Sequence, residues 1–144
     1  SPEAFGKARE YADLLIDMIE SESFDFIAHP DLFGLFSRKW NTETTAISRA
    51  ICAAAKTYSI PLEINGYGFR KAQIETAEGT RYAYPVENFW EIASDYGIEV
   101  VCNSDAHRPQ DVNRSIDQCL DIAERNFLPL AEFDFDKCTK EVLQ

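Results

Sequence analysis

Apolar residues recur along this chain in two rhythms. Between residues 3 and 20 they fall at Phe5, Ala8, Tyr11, Ala12, Leu15, Met18 and Ile19, the three-and-four spacing of a helix with one buried stripe. Ser21 to Ser23 break that rhythm, and Phe24-Asp25-Phe26-Ile27-Ala28 then reads as a short buried strand. The strand runs into His29-Pro30-Asp31. Pro30 cannot donate to a sheet ladder, so the strand ends at His29. Leu32 to Trp40 is a polar–aromatic loop holding one glycine, Gly34. Asn41 or Thr42 is suited to cap a second helix, whose inner face carries Ala46, Ile47, Ala50, Ile51, Ala54 and Ala55.

The second half repeats the alternation. Pro61 to Asn65 is a short strand, and Gly66-Tyr67-Gly68 permits a sharp turn with close approach of backbone to a ligand. Residues 72–82 read as a polar loop. Pro85 suits the first turn of a third helix, whose stripe is Val86, Phe89, Trp90, Ala93 and Tyr96 and whose stop is Gly97. Ile98 to Cys102 is a third strand, followed by a loop over 103–111. A last helix is predicted from about Asp111 to Asn126, with Val112, Ile116, Cys119, Leu120 and Ala123 inward. The acidic, aromatic tail after Pro129 predicts no element. Helices alternating with strands imply an α/β fold, a parallel sheet covered by helices.

Composition narrows the classes. With 144 residues the chain makes one domain, and its 45% apolar and 12% aromatic content excludes a disordered protein. A net charge of -11 without any basic cluster excludes nucleic acid as a partner, because phosphate neutralisation needs grouped Lys and Arg. No run of about 18 apolar residues exists, so no membrane span is expected, and the first residues lack the apolar core of a signal peptide. Cys52, Cys102, Cys119 and Cys138 form no Cys-x-x-Cys pair and read as small hydrophobes in a reducing, cytoplasmic setting.

The candidate chemistry lies at the strand exits. Each strand ends in polar residues: His29 with Asp31, Glu63 with Asn65, and Asp105 with His107. These histidines are the only two in the chain. Asp105 and His107 stand two positions apart, which puts both on one side of an extended segment. In parallel α/β folds ligands gather at the carboxyl ends of strands. Imidazole and carboxylate donors there suit Zn, Mn or Fe, and such a metal lowers the pKa of bound water to give a hydroxide nucleophile. Arg70, just after the glycine turn, could hold an anionic group such as a phosphate. Plainer roles stay open: turn caps for Asp31 and Asn65, an ion-paired structural carboxylate for Glu63, solvated cations for Arg70 and Lys71, core packing for Tyr84, a structural role for Asp25.

Phe-Ile-Ala-His-Pro-Asp (26–31), Leu-Glu-Ile-Asn (62–65), Phe-Arg-Lys (69–71), Tyr-Pro (84–85) and Asn-Ser-Asp-Ala-His (103–107) occur in the order found in the PHP (polymerase and histidinol phosphatase) superfamily. The chain resembles its histidinol-phosphatase branch over roughly residues 10–126. The resemblance implies a three-strand portion of a distorted (β/α)7 barrel with two or three divalent metal ions at the carboxyl ends of its strands. It implies metal ligation by His29, Asp105 and His107, phosphate contact by Arg70, and a substrate pocket lined by Glu63 and Asn65. The activity implied is hydrolysis of a small phosphate monoester in histidine biosynthesis, or of another small phosphate. The family site also needs a His-x-His, a glutamate and further histidines from earlier strands, which this chain lacks. Residues 1–144 are therefore expected to be the carboxyl-terminal part of one barrel domain, inactive alone, with sheet edges open to self-association.

Overall fold

The structure, a computed structural model, describes residues 2–134, apart from the side chain of Pro2. Helix α1 (Pro2–Glu20) forms where the apolar spacing predicts, burying Ala8, Ala12, Leu15 and Ile19 against helix α2 (Thr42–Tyr58). Asn41 is the cap of α2. Its Oδ1 accepts from the amides of Glu43 and Thr44, while the Thr44 hydroxyl accepts from the Asn41 amide, closing a reciprocal box. The buried face of α2 is Thr44, Ile47, Ser48, Ile51, Cys52 and Ala55. Ala46 and Ala50, expected inside, face solvent, because the helix is rotated toward its hydroxyl-bearing side. Ser48 can be buried there because its hydroxyl donates to the Thr44 carbonyl.

Strand β1 (Leu62–Asn65) is buried throughout and pairs in parallel with strand β4 (Val100–Asn103), in a register that sets Leu62 against Val100 and Asn65 against Asn103. The expected strand over 24–28 is reduced to one parallel bridge between Ile27 and Leu62. Ile27 makes both ladder bonds, donating to the Pro61 carbonyl (3.0 Å) and accepting from the Glu63 amide (2.9 Å). Its neighbours Phe24, Asp25 and Ala28 are exposed, and at His29 the backbone turns to φ 32°, so the ladder has no room to propagate. On the far side of β4, Val100 bridges Leu130 in parallel, bringing the described part of the tail into the sheet. Residues 27, 62–65, 100–103 and 130 thus lie side by side in chain order, all parallel, so their carboxyl ends share one rim.

The segment read as a polar loop over 72–82 contains an antiparallel hairpin, β2 (Ile74–Thr76) with β3 (Gly79–Arg81). Three-residue strands are too short for alternation to register. The signals present were Glu78-Gly79, with Gly79 at φ 116°, and Thr76, whose hydroxyl donates to the Gly79 carbonyl. The Arg81 guanidinium anchors the hairpin by donating to the carbonyls of Gly34, Ser37, Tyr82 and Ala83.

Helix α3 (Glu87–Asp95) begins after a cis Tyr84–Pro85 peptide, and Gly97 stops it at φ 61° as expected. The last helix is shorter than predicted. A 3-10 turn over Pro109–Asp111 precedes helix α4 (Ile116–Arg125), because Ser115 at φ 65° breaks the run. Cys119, Ile122 and Ala123 are inward on α4, whereas Val112 and Leu120 are exposed. Burial pushes the thiols of Cys52 and Cys119 up to about 12 and that of Cys102 up to about 11, so these three behave as small hydrophobes; Cys138 lies outside the described residues. No helix among the described residues is long and apolar enough to cross a membrane.

Candidate functional site

Three chain exits meet at the shared rim. At the first, His29 is held by its own backbone. Its amide donates to Glu63 Oε2 (2.8 Å), and its carbonyl accepts from the Tyr11 hydroxyl of α1 (2.7 Å). The same Tyr11 oxygen lies 3.2 Å from His29 Nδ1. A phenol has one proton, and here the carbonyl takes it. Nδ1 must therefore be the protonated nitrogen, donating to the phenol oxygen and leaving the lone pair on Nε2. Burial, then the charges of Asp31 and Glu63, raise the Tyr11 phenol well above its ordinary range, so it stays protonated.

At the second exit, Glu63 and Asn65 point into the floor beneath the rim, 2% and 1% exposed. Glu63 Oε2 also accepts from Asn65 Nδ2 (3.0 Å), and Oε1 accepts from Asn103 Nδ2 (2.7 Å). Asn65 Nδ2 donates in addition to Asp105 Oδ2 (3.1 Å), and Asn65 Oδ1 accepts from the Tyr67 amide, starting a 3-10 helix over Gly66–Arg70. The family resemblance implies a substrate pocket lined by Glu63 and Asn65. In the structure their polar atoms are engaged with protein groups, and they join the three exits to one another. Gly68 lies against the Tyr84 carbonyl, where an added Cβ would collide, so this turn requires glycine.

At the third exit, Asp105 has φ 49°. His107 Nδ1 lies 2.9 Å from the Asp105 carbonyl, an acceptor with no proton to give, so this ring too is protonated at Nδ1 and presents its Nε2 lone pair. Asp105 Oδ1 is 3.8 Å from the same nitrogen. The His107 ring stacks on Tyr67 with centroids 4.3 Å apart and planes 20° apart, while His29 faces Tyr84 at 6.4 Å.

The hydrogen-bond path His29–Glu63–Asn65–Asp105 therefore ties both histidine exits to one floor. Among the described residues, no group of three or more His, Cys, Asp or Glu side chains is placed to hold a metal ion. The donor chemistry fits a divalent ion in part: two imidazoles with open Nε2 atoms and one carboxylate oxygen left by the network. Arg70 is committed elsewhere. It donates from Nη1 to the Gly66 and Arg114 carbonyls and from Nη2 to those of Ser104 (2.8 Å) and Asp105 (3.1 Å), while Nε is buried without a partner.

Asp31, the neighbour of His29 in sequence, turns away from the rim. It is fully buried and accepts from the Val86 amide (2.7 Å) and Trp90 Nε1 (3.0 Å), so it caps α3 across the fold. Burial pushes its carboxyl up to about 7 against the lowering effect of those bonds. Sequence reasoning missed Tyr11, which looked like one more member of an apolar stripe, and Asn103, whose pairing partner is 40 residues away. The chain matches no protein-family model, no curated protein and no solved structure.

Proposed function

We propose that this chain carries part of the site of a metal-dependent phosphomonoesterase resembling histidinol phosphatases of the PHP superfamily, with His29, Asp105 and His107 as three of its metal ligands. The observation that supports this most is common to the two histidines: each Nδ1 lies within hydrogen-bond distance of a local oxygen, Tyr11 Oη at 3.2 Å and the Asp105 carbonyl at 2.9 Å. The tautomer inferred from this leaves each Nε2 lone pair for a ligand, the arrangement in which metal-binding imidazoles are held. The consecutive parallel order at the rim agrees with a segment of a barrel. Divalent ions bound there would supply Lewis-acid stabilisation of the charge on a phosphoryl group. The chain's own contribution is to tie both histidine exits and Asp105 to one buried polar floor. Further ligands would come from residues beyond this sequence, so the 144 residues alone are expected to bind metal weakly and to turn over little phosphate ester.

Calorimetric titration with Zn tests the ligand assignment directly. The wild-type chain is expected to bind Zn, and His29→Ala and His107→Ala each to weaken it by about tenfold or more. Unchanged Zn affinity in both variants would remove the reading. Hydrolysis of p-nitrophenyl phosphate and of histidinol phosphate with added Mn or Zn, by a chain extended with the missing strands, tests the activity.

A further inference from the structure

The rim has an acidic floor, so an anionic substrate needs a cation with donors to spare. Arg70 does not supply them. The four N–H groups on its terminal nitrogens all go to backbone carbonyls, and the fifth, on Nε, is buried. The next residue differs. Lys71 is exposed, and its Nζ lies 4.7 Å from the centroid of Tyr67 and 5.6 Å from that of Tyr84. Those two rings are the ones that meet the histidines: Tyr67 stacks on His107, and Tyr84 faces His29. The ammonium therefore stands between the two histidine exits. Among the described residues it makes no ion pair. It has three N–H donors. The two ring faces steer the ammonium over the rim by cation–π attraction without consuming its N–H groups.

We propose that Lys71, not Arg70, seats the anionic phosphoryl group of the substrate at this rim. The assignment rests on the phosphoesterase reading for the nature of the anion, and on the donor count for the residue. Arg70 serves the fold instead, fastening the carbonyls of Gly66, Ser104 and Asp105 so that Asp105 keeps its turn.

Titration of the 144-residue chain with inorganic phosphate, followed by amide NMR with and without Zn, tests this. Phosphate is expected to shift the signals of Tyr67, Lys71 and His107. Lys71→Met should weaken binding at least about tenfold, as loss of a charge-assisted contact does. Lys71→Arg should keep it within about threefold, because the cation is retained. Lys56→Met, which removes the same charge from the far end of α2, should change nothing. Phosphate binding that is absent, that shifts other residues, or that survives Lys71→Met overturns the assignment. The two readings fail separately. Zn binding lost in the histidine variants together with phosphate binding indifferent to Lys71 would retire Lys71 alone. Phosphate held through Lys71 with Zn affinity indifferent to both histidines would retire the phosphoesterase reading and leave an anion site.

Discussion

His29 and Asp105 sit at φ 32° and 49°, a region that costs a side-chain-bearing residue on the order of 1–3 kcal/mol and persists only where the surroundings enforce it. Both are enforced. Glu63 and Tyr11 grip the backbone of His29, and Arg70 and Asn65 grip Asp105 through its carbonyl and its carboxylate. Tyr11→Phe removes the oxygen that fixes the His29 tautomer. Long-range 1H–15N NMR is expected to show His29 as Nδ1–H in the wild type and as a tautomer mixture in the variant, with Zn affinity lower by about 10–100-fold. An unchanged His29 spectrum would refute the role given to Tyr11. Asp31→Ala leaves the Val86 amide and the Trp90 indole N–H buried without an acceptor, and urea denaturation should show a loss of about 2–4 kcal/mol.

The helices are tied at their ends as well as along their faces. At the start of α3, Glu87 accepts from Arg125 Nε (2.8 Å) and Nη2 and from Asn126 Nδ2 (2.9 Å), joining it to the end of α4. The Arg125 hydrogen bond holds the Glu87 carboxyl below its usual 4.5, more than burial raises it. Because the folded value lies below the unfolded one, the link stabilises the fold above the unfolded value and is lost as pH falls through the folded one. Both side chains are more than a third exposed, 53% for Arg125 and 39% for Glu87, so solvent screens the pair. Glu87→Gln is expected to cost about 0.5–1 kcal/mol at pH 7, and progressively less as pH falls through the folded value below 4.5. A cost that stays the same as pH falls would show that the carboxylate charge is not what matters.

On the scale of the whole molecule, the small sheet does not end in two bare edges. Beyond β4, the Val100 amide donates to the Pro129 carbonyl (2.8 Å) and the Ala131 amide to the Val100 carbonyl (2.9 Å). Phe133 then meets Phe26 edge-on, with centroids 6.3 Å apart and planes at 60°, so the tail reaches across to the segment on the opposite side of the sheet. This weakens the case for edge-to-edge self-association that the sequence suggests. Phe133→Ala should cost about 0.5–1.5 kcal/mol and speed hydrogen exchange at the Val100 and Ala131 amides. Exchange unchanged at both amides would mean that the aromatic pair does not hold the tail in place.

Periodicity and local chemistry by themselves determined the four helices in outline, a cap at Asn41 or Thr42, the Gly97 stop and the runs that become β1 and β4, because each depends on neighbours within a few residues or on an unbroken apolar run; which strand pairs with which came only with the tertiary structure. They also placed both histidines at strand exits. What no local pattern contained was the destination of single polar atoms. Asp31 leaves its histidine neighbour for an indole 59 residues away, Arg70 spends its donors on backbone, and a tyrosine inside an apolar stripe sets the tautomer of His29. A hydrogen bond is decided within a few tenths of an ångström, and across 40 or 60 residues that position exists only once the helices have settled on the sheet.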